Sequence, residues 1–319
     1  MIGRRRWLGG AAVALAGWET GATRARAQGG FDGLASAFAR IEAERGGRLG
    51  VAVLDTSATP FGDERVQARS SLRDGSPRDG GGRRAGHRRD ERFPMGSTYK
   101  VLAAGAVLAR ADAGRDSMDR LIRFTREDLV TYSPVTEARA GGDGMTLAAL
   151  CEATMTTSDN TAGNLLLDVL GGPAGLTAYL RTLGDGVTRL DRMETALNEA
   201  RPGDPRDTTS PAAMLADLHA LTLGDALSAP ARERLQGWLR DNKTGGARLR
   251  ARLPPGWQAG EKTGTAANGT SNDVGLLWPP GGGAPVLVAA YLTQGPADGA
   301  VRDAALADVG AAIAAAWAG

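Results

Sequence analysis

Phe93-Pro94-Met95-Gly96-Ser97-Thr98-Tyr99-Lys100 runs straight into Val101-Leu102-Ala103-Ala104, a polar turn followed by an apolar stretch at helical spacing. The pattern predicts a helix from Thr98 to about Arg110, with Ser97 at its mouth. Residues three apart share one helix face, so Lys100 is placed to reach the Ser97 hydroxyl. A backbone N–H at a helix N-terminus, such as that of Ser97, also favours a developing negative charge. A lone Ser-x-x-Lys arises about once by chance in a chain this long, so the surroundings must decide.

Lysine usage singles the motif out. The chain has 38 basic residues, of which only Lys100, Lys243 and Lys262 are lysines. Arginine stays protonated in a protein, whereas burial can tune a lysine, so a sequence biased to arginine keeps lysine where proton chemistry requires it. Lys262-Thr263-Gly264 opens a predicted strand, and Ser158-Asp159-Asn160 follows a predicted helix. A second Lys-Thr-Gly at Lys243 runs into Gly246 and Arg248 in a polar connection with no strand, and is set aside.

Around this centre the elements change character along the chain. Phe31, Leu34, Phe38 and Ile41 have helical spacing, and Gly46-Gly47 stops that helix. Residues 49–55 form a short apolar strand. Residues 57–84 are rich in Arg, Asp, Gly and Ser and read as a solvated excursion with little to pack. Helices joined by Gly- and Pro-bearing loops continue to about Leu223, one of them ending at Gly171-Gly172-Pro173. Strands follow at 262–266, 274–278 and 285–293, then an Ala-rich helix over 304–317. The expected fold is therefore α/β plus all-α: an antiparallel sheet flanked by helices, with an inserted helical domain. The boundaries fall at 28–93 and 223–319 for the α/β part and 94–222 for the helical part.

Composition excludes several classes. The formal charge of +2 is lent by five arginines in the first 27 residues, and the remainder has no basic excess to suit a nucleic acid. Those 27 residues read as an export signal: Arg4-Arg5-Arg6-Trp7-Leu8, an apolar stretch to Trp18, and Ala25-Arg26-Ala27 before Gln28. The paired arginines are twin-arginine-like, and the expected destination is the periplasm, free of the membrane once processed. Cys151 is the single cysteine, so no intramolecular disulfide forms. With only His87 and His219, neither a zinc site nor a Ser-His-Asp triad is expected. No cofactor and no metal are expected, and the chain is expected to be a monomer.

The order and context of Ser97-Thr98-Tyr99-Lys100, Ser158-Asp159-Asn160 and Lys262-Thr263-Gly264 resemble those of class A β-lactamases and penicillin-binding proteins. Arg189-Leu190-Asp191-Arg192-Met193-Glu194-Thr195-Ala196-Leu197-Asn198-Glu199 resembles the start of the Ω loop of the class A serine β-lactamases. The likeness covers nearly all of residues 31–319 apart from the excursion. It implies hydrolysis of penicillins and cephalosporins through an acyl-serine intermediate, with the site between the two domains. Ser97 would be the nucleophile, with its oxyanion held by the N–H groups of Ser97 and Thr265. Glu194, acting through water, would be the main acylation base, while Lys100 would orient Ser97 and share in proton transfer. Ser158 would relay a proton to the ring nitrogen beside Lys262, and Glu194 with Asn198 would activate the deacylating water.

The same resemblance assigns substrate contacts to Tyr132 as an aromatic gatekeeper, and to Asn160, Thr263, Gly264 and Thr265. The substrate carboxylate falls to Arg248, since 268–273 contains no arginine. It also implies an Arg192–Asp207 ion pair closing the Ω loop. Cys151 is expected to be a buried free thiol, because Ala104 stands where some relatives carry its partner. Gly96 and Ala266 replace the cysteine pair of one carbapenemase branch. Two rivals share these motifs in part: a D,D-peptidase, which would lack a Glu194 equivalent, and a non-catalytic β-lactam-binding module.

Overall fold

The computed structural model describes residues 30–58 and 82–317. The predicted export signal at 1–27 lies outside these residues, as does the predicted polar excursion apart from its two ends.

The first predicted helix is α1 (Leu34–Arg45), and it buries Leu34, Phe38 and Ile41 as the spacing required. Gly46 and Gly47 end it with φ of 76° and 84°, a left-handed bend that glycine makes without a Cβ penalty. Strand β1 (Arg48–Asp55) follows. Its antiparallel neighbour is β2 (Arg83–His87), in register from Val51↔His87 to Asp55↔Arg83. The first two residues of β2 fall in the predicted polar excursion, and no strand is expected there from the sequence. Arg-Arg-Ala-Gly-His has no apolar alternation, because β2 is a sheet edge whose side chains are exposed or only half-buried. Arg83 is fixed instead by its ion pair with the buried Asp55, at 2.7 Å.

Short strands β3 (Phe93–Pro94), β4 (Leu121–Ile122), β5 (Met145–Thr146) and β6 (Thr208–Thr209) stitch the middle of the chain, β3 with β6 and β4 with β5. Strands β7 (Gln258–Ala266), β8 (Thr270–Trp278) and β9 (Val286–Thr293) complete an antiparallel five-stranded sheet in the order β2-β1-β9-β8-β7. Strand β7 is thus an edge.

Side chains alternate across a strand, so each sheet face builds its own core. Val51 and Val53 of β1, with Val288 and Ala290 of β9, pack against α1 and the closing helix α8 (Gly299–Trp317), which begins five residues earlier than predicted. Ala52, Leu54, Ala289 and Tyr291 face the helical domain.

That domain is organised on α2 (Tyr99–Asp112), buried without interruption from Tyr99 to Leu108. Around it stand α3 (Leu147–Thr156), α4 (Asn160–Leu170), α5 (Gly172–Thr182) and α7 (Ala229–Arg240). Helix α6 (Pro211–Thr222) lies on β9 and β1. His219 sits on it. Because α2 carries Lys100 and abuts Ser97, its packing holds the chemistry in place. Truncating Leu102 there would cost about 2–5 kcal/mol. Cys151 on α3 is buried and free, and burial pushes its thiol far up. Among the described residues, no helix is long and apolar enough to cross a membrane.

Candidate active site

Ser97 lies in a single 3-10 turn, Gly96–Thr98, that opens α2. The sheet clamps this turn from behind. Asn272 of β8 donates to the carbonyls of Pro94 (2.9 Å) and Met95 (3.0 Å), and Thr98 Oγ1 meets the Tyr291 hydroxyl of β9 at 3.1 Å. Strand β7 presses so close that a Cβ on Gly264 would stand 2.6 Å from the Met95 carbonyl. Glycine in Lys-Thr-Gly is therefore a requirement of close approach. Gly96, at φ 49°, brings a would-be Cβ to 3.2 Å from the backbone nitrogen of Thr265, so the Ser97 turn and Thr265 form one concave corner.

Lys100 has no solvent exposure. Gly163 of α4 makes room for it, since a Cβ there would come within 3.0 Å of Lys100 Cε. Lys100 Nζ donates to Asn160 Oδ1 (2.6 Å), to the Ser158 carbonyl (2.8 Å) and to Ser158 Oγ (3.4 Å). It pairs with Glu194 Oε1 at 3.2 Å. The i, i+3 spacing predicts a contact with the Ser97 hydroxyl, but that hydroxyl donates to Glu194 Oε1 instead, at 3.3 Å. Lys100 and Ser97 meet through a shared carboxylate oxygen. Burial lowers the Lys100 pKa, while the Glu194 carboxylate opposes that shift.

Ser158 sits between two ammonium groups, because Lys262 Nζ donates to its Oγ at 3.0 Å. Lys262 is buried, and desolvation joined by the Lys100 charge pulls its pKa well down. The Ser158 backbone has φ 61°, a left-handed conformation uncommon for serine. Its neighbour holds it there. Asp159 caps α4 by accepting from Ala162 N, and its carboxylate also accepts from Val135 N and Thr136 N, each at 2.9 Å. Asn160 donates from its side chain to the Thr131 carbonyl and from its backbone to that of Tyr132. Tyr132 is left 57% exposed at the rim.

The loop bearing Glu194 is closed by the Arg192–Asp207 pair at 2.6 Å, as the sequence predicts. Asn198 Nδ2 donates to Glu194 Oε2 at 2.6 Å. Sequence reasoning misses Asn164, which bonds both backbone groups of Glu194, accepting at 2.8 Å and donating at 3.0 Å. Its signal is the helical step of four from Asn160, which puts both amides on one face of α4.

Leu249–Arg252 is a 3-10 turn, and Arg248, Arg250 and Arg252 diverge. Arg248 donates to Asp303 (2.8 Å), to the Gly264 and Asn272 carbonyls (2.8 Å each) and to Thr265 Oγ1 (2.7 Å). Arg250 pairs with the buried Glu261 at 2.6 Å, and Arg252 with Asp308. Lys243 is exposed in a turn, with no strand around it. Among the described residues, no three His, Cys, Asp or Glu side chains are grouped to hold a metal ion.

The arrangement provides a nucleophile, a carboxylate in contact with it, two lysines bracketing a serine, and a cationic edge. Comparison with known proteins agrees with the resemblance seen in the motifs. The model of the beta-lactamase enzyme family matches residues 33–317. Beta-lactamase AST-1 of Nocardia asteroides is 48% identical over 271 residues, spanning 85% of this chain and 79% of that one. Beta-lactamase L2 of Stenotrophomonas maltophilia is 43% identical over 97% of both chains. Among solved structures, an ancestral (GNCA) class A beta-lactamase superposes with a TM-score of 0.79 at 55% identity, covering 88% of this chain and 98% of its own. The putative class A enzyme PenP of Rhodopseudomonas palustris matches with the same score and identity, over 89% and 99%.

Proposed function

The chain belongs to the beta-lactamase enzyme family as a class A serine β-lactamase, which hydrolyses the β-lactam amide and confers resistance, and on that premise we propose the role of each residue in its cleft. Ser97 Oγ attacks the lactam carbonyl and gives its proton to Glu194, 3.3 Å away. The carbonyl oxygen takes the negative charge and is received by the N–H groups of Ser97 and Thr265. As the C–N bond breaks, Ser158 gives its proton to the ring nitrogen. It is reprotonated from Lys100, which recovers the proton held by Glu194. Lys262 stabilises the negative charge that builds on Ser158 Oγ, 3.0 Å from its ammonium.

The acyl-enzyme then needs a base aimed at water. Glu194 and Asn198 share that task, one oxygen of the carboxylate facing Ser97 and the other fixed by the Asn198 amide. This pairing is the observation that carries the proposal, because it supplies the deacylating base that a D,D-peptidase lacks. Thr263, Thr265 and Arg248 receive the substrate carboxylate, with Tyr132, Asn160 and Gly264 lining the cleft. The arginine-led N-terminus supports export, with the periplasm as destination.

Turnover of a chromogenic cephalosporin tests the reading. Sustained hydrolysis is expected. A stoichiometric burst that stalls would assign the chain to the peptidase type, and binding without acylation would leave a non-catalytic module.

A further inference from the structure

Strand β7 presents Lys262 and Gly264 to one side and Glu261, Thr263 and Thr265 to the other, by the two-residue alternation of a strand. Each of the latter three is met by a residue of the connection leading from α7 into β7. Arg250 meets Glu261, Arg248 meets Thr265, and Thr244 meets Thr263. Thr244 belongs to the second Lys-Thr-Gly, which the sequence analysis sets aside.

The segment around Thr244 is built to a fixed position. Asn242 Nδ2 donates to the Met155 carbonyl at 3.1 Å, and Lys243 N donates to that of Thr156 at 2.9 Å. Both anchors lie at the end of α3, two and three residues before Ser158. Asn242 Oδ1 accepts from Thr244 N (2.8 Å) and Gly245 N (2.9 Å). Gly245 must be glycine, since a Cβ there would stand 1.6 Å from Glu261 Oε1.

A hydroxyl has one proton to give. Two acceptors lie within reach of the Thr244 proton: Asn242 Oδ1 at 3.2 Å and Thr263 Oγ1 at 2.5 Å. The first already serves two backbone N–H groups, so its lone pairs are taken. The Thr244 proton therefore goes to Thr263 Oγ1, and the Thr263 proton is left free to turn elsewhere. Thr265 is wired the same way, because Arg248 can only donate to its oxygen, at 2.7 Å.

We propose that Thr244 is a positioning residue for substrate recognition: by donating to Thr263 Oγ1 it turns the Thr263 hydroxyl proton toward the β-lactam carboxylate, as Arg248 does for Thr265. The inference rests on the proposed reading that Thr263, Thr265 and Arg248 receive that carboxylate. Two hydroxyls poised as donors, each backed by a donor of its own, polarise further than isolated ones.

The test is steady-state kinetics with a penicillin and with its carboxyl methyl ester, using Thr244→Val, Thr244→Ser, Thr263→Val and the Thr244→Val/Thr263→Val pair. Thr244→Val is expected to raise KM for the acid about threefold to tenfold with kcat nearly unchanged, and to shrink the preference for acid over ester by the same factor. Thr244→Ser restores both. Thr244→Val adds little once Thr263 is valine. An unchanged KM in Thr244→Val, or a loss that adds in full to that of Thr263→Val, overturns the role of Thr244. If Thr263→Val and Arg248→Ala both leave the acid-to-ester preference intact, it is the carboxylate site itself that has been misplaced.

Discussion

Glu194 Oε1 stands 3.2 Å from the Lys100 ammonium and 3.3 Å from Ser97 Oγ, so the nucleophile and the lysine compete for a single carboxylate oxygen. Neither the Lys100 nor the Glu194 side chain is exposed to solvent. Burial favours a neutral lysine and the carboxylate favours a charged one. In the proposed acylation a proton passing from Ser97 to Glu194 removes that opposing charge and frees the lysine to release its own proton to Ser158.

Replacing Lys100 with Arg tests this exchange. Arginine keeps the charge beside Glu194 but does not give up a proton at neutral pH. Stopped-flow acylation by a penicillin is expected to slow by roughly a hundredfold or more, in line with losing a general acid–base group. Acylation as fast as wild type would remove Lys100 from proton transfer.

The neighbouring arginines should separate by readout. Arg248→Ala removes the donor behind Thr265 and the cation at the carboxylate site. The expected loss is about 1.5–3 kcal/mol, or about tenfold to a hundredfold in kcat/KM. Arg250→Ala strands the buried Glu261 without its 2.6 Å partner, so it should lower Tm by several degrees and change kcat/KM far less. Equal kinetic losses in both variants would show that the 3-10 turn, and not Arg248, matters.

Most of the site was legible because its chemistry requires particular residue types in short runs. Ser97, Lys100, Ser158, Lys262, Glu194 and Asn198 stand together in the cleft, although they come from widely separated stretches. What the sequence hides is the support behind them. Asn164 and Thr244 are common polar residues whose roles depend on tertiary approach: only the helical step of four from Asn160 marks the first, and no local pattern marks the second. The direct contact predicted between Lys100 and Ser97 was displaced by a carboxylate from 97 residues further on. In the fold, the helices and long strands followed from periodicity. Strand β2 did not, because an exposed edge carries no buried face to impose alternation. The 3-10 turn at Leu249–Arg252 was likewise hidden, since three arginines in the five residues 248–252 carry no apolar rhythm.

Behind the Lys262 strand, Glu261 of β7 and Asp273 of β8 are both buried and close enough to share a hydrogen bond. Burial raises Glu261 from 4.5 to about 7 against the pull of Arg250 and Arg248. Burial and the Glu261 charge raise Asp273 well above its ordinary value. The folded pair therefore holds protons that the unfolded chain releases near pH 4.5. The Glu261 contribution to stability is complete below that pH and is lost as pH rises through about 7, and Asp273 shifts in the same direction from its lower ordinary value. Tm of the wild type is expected to fall across this window, and Asp273→Asn to flatten the fall by leaving one carboxyl to titrate alone. The buried Asp217, raised in the same direction, is common to both proteins and cancels in the comparison. Parallel Tm profiles would contradict a shared proton.

The central claim is that Glu194 turns a trapped acyl-enzyme over. Its most direct measurement is intact-protein mass spectrometry of Glu194→Gln, sampled over time after mixing with a stoichiometric penicillin. Without the Glu194 charge, burial acts on Lys100 free of its largest opposing influence and leaves it able to take the Ser97 proton, more slowly. The predicted result is a mass increase of one whole penicillin that builds up slowly and then persists on Ser97 long after the wild type has returned to its free mass, with no such adduct in the Glu194→Gln/Ser97→Ala double variant. A Glu194→Gln enzyme that acylates and then regenerates at the wild-type rate would contradict it.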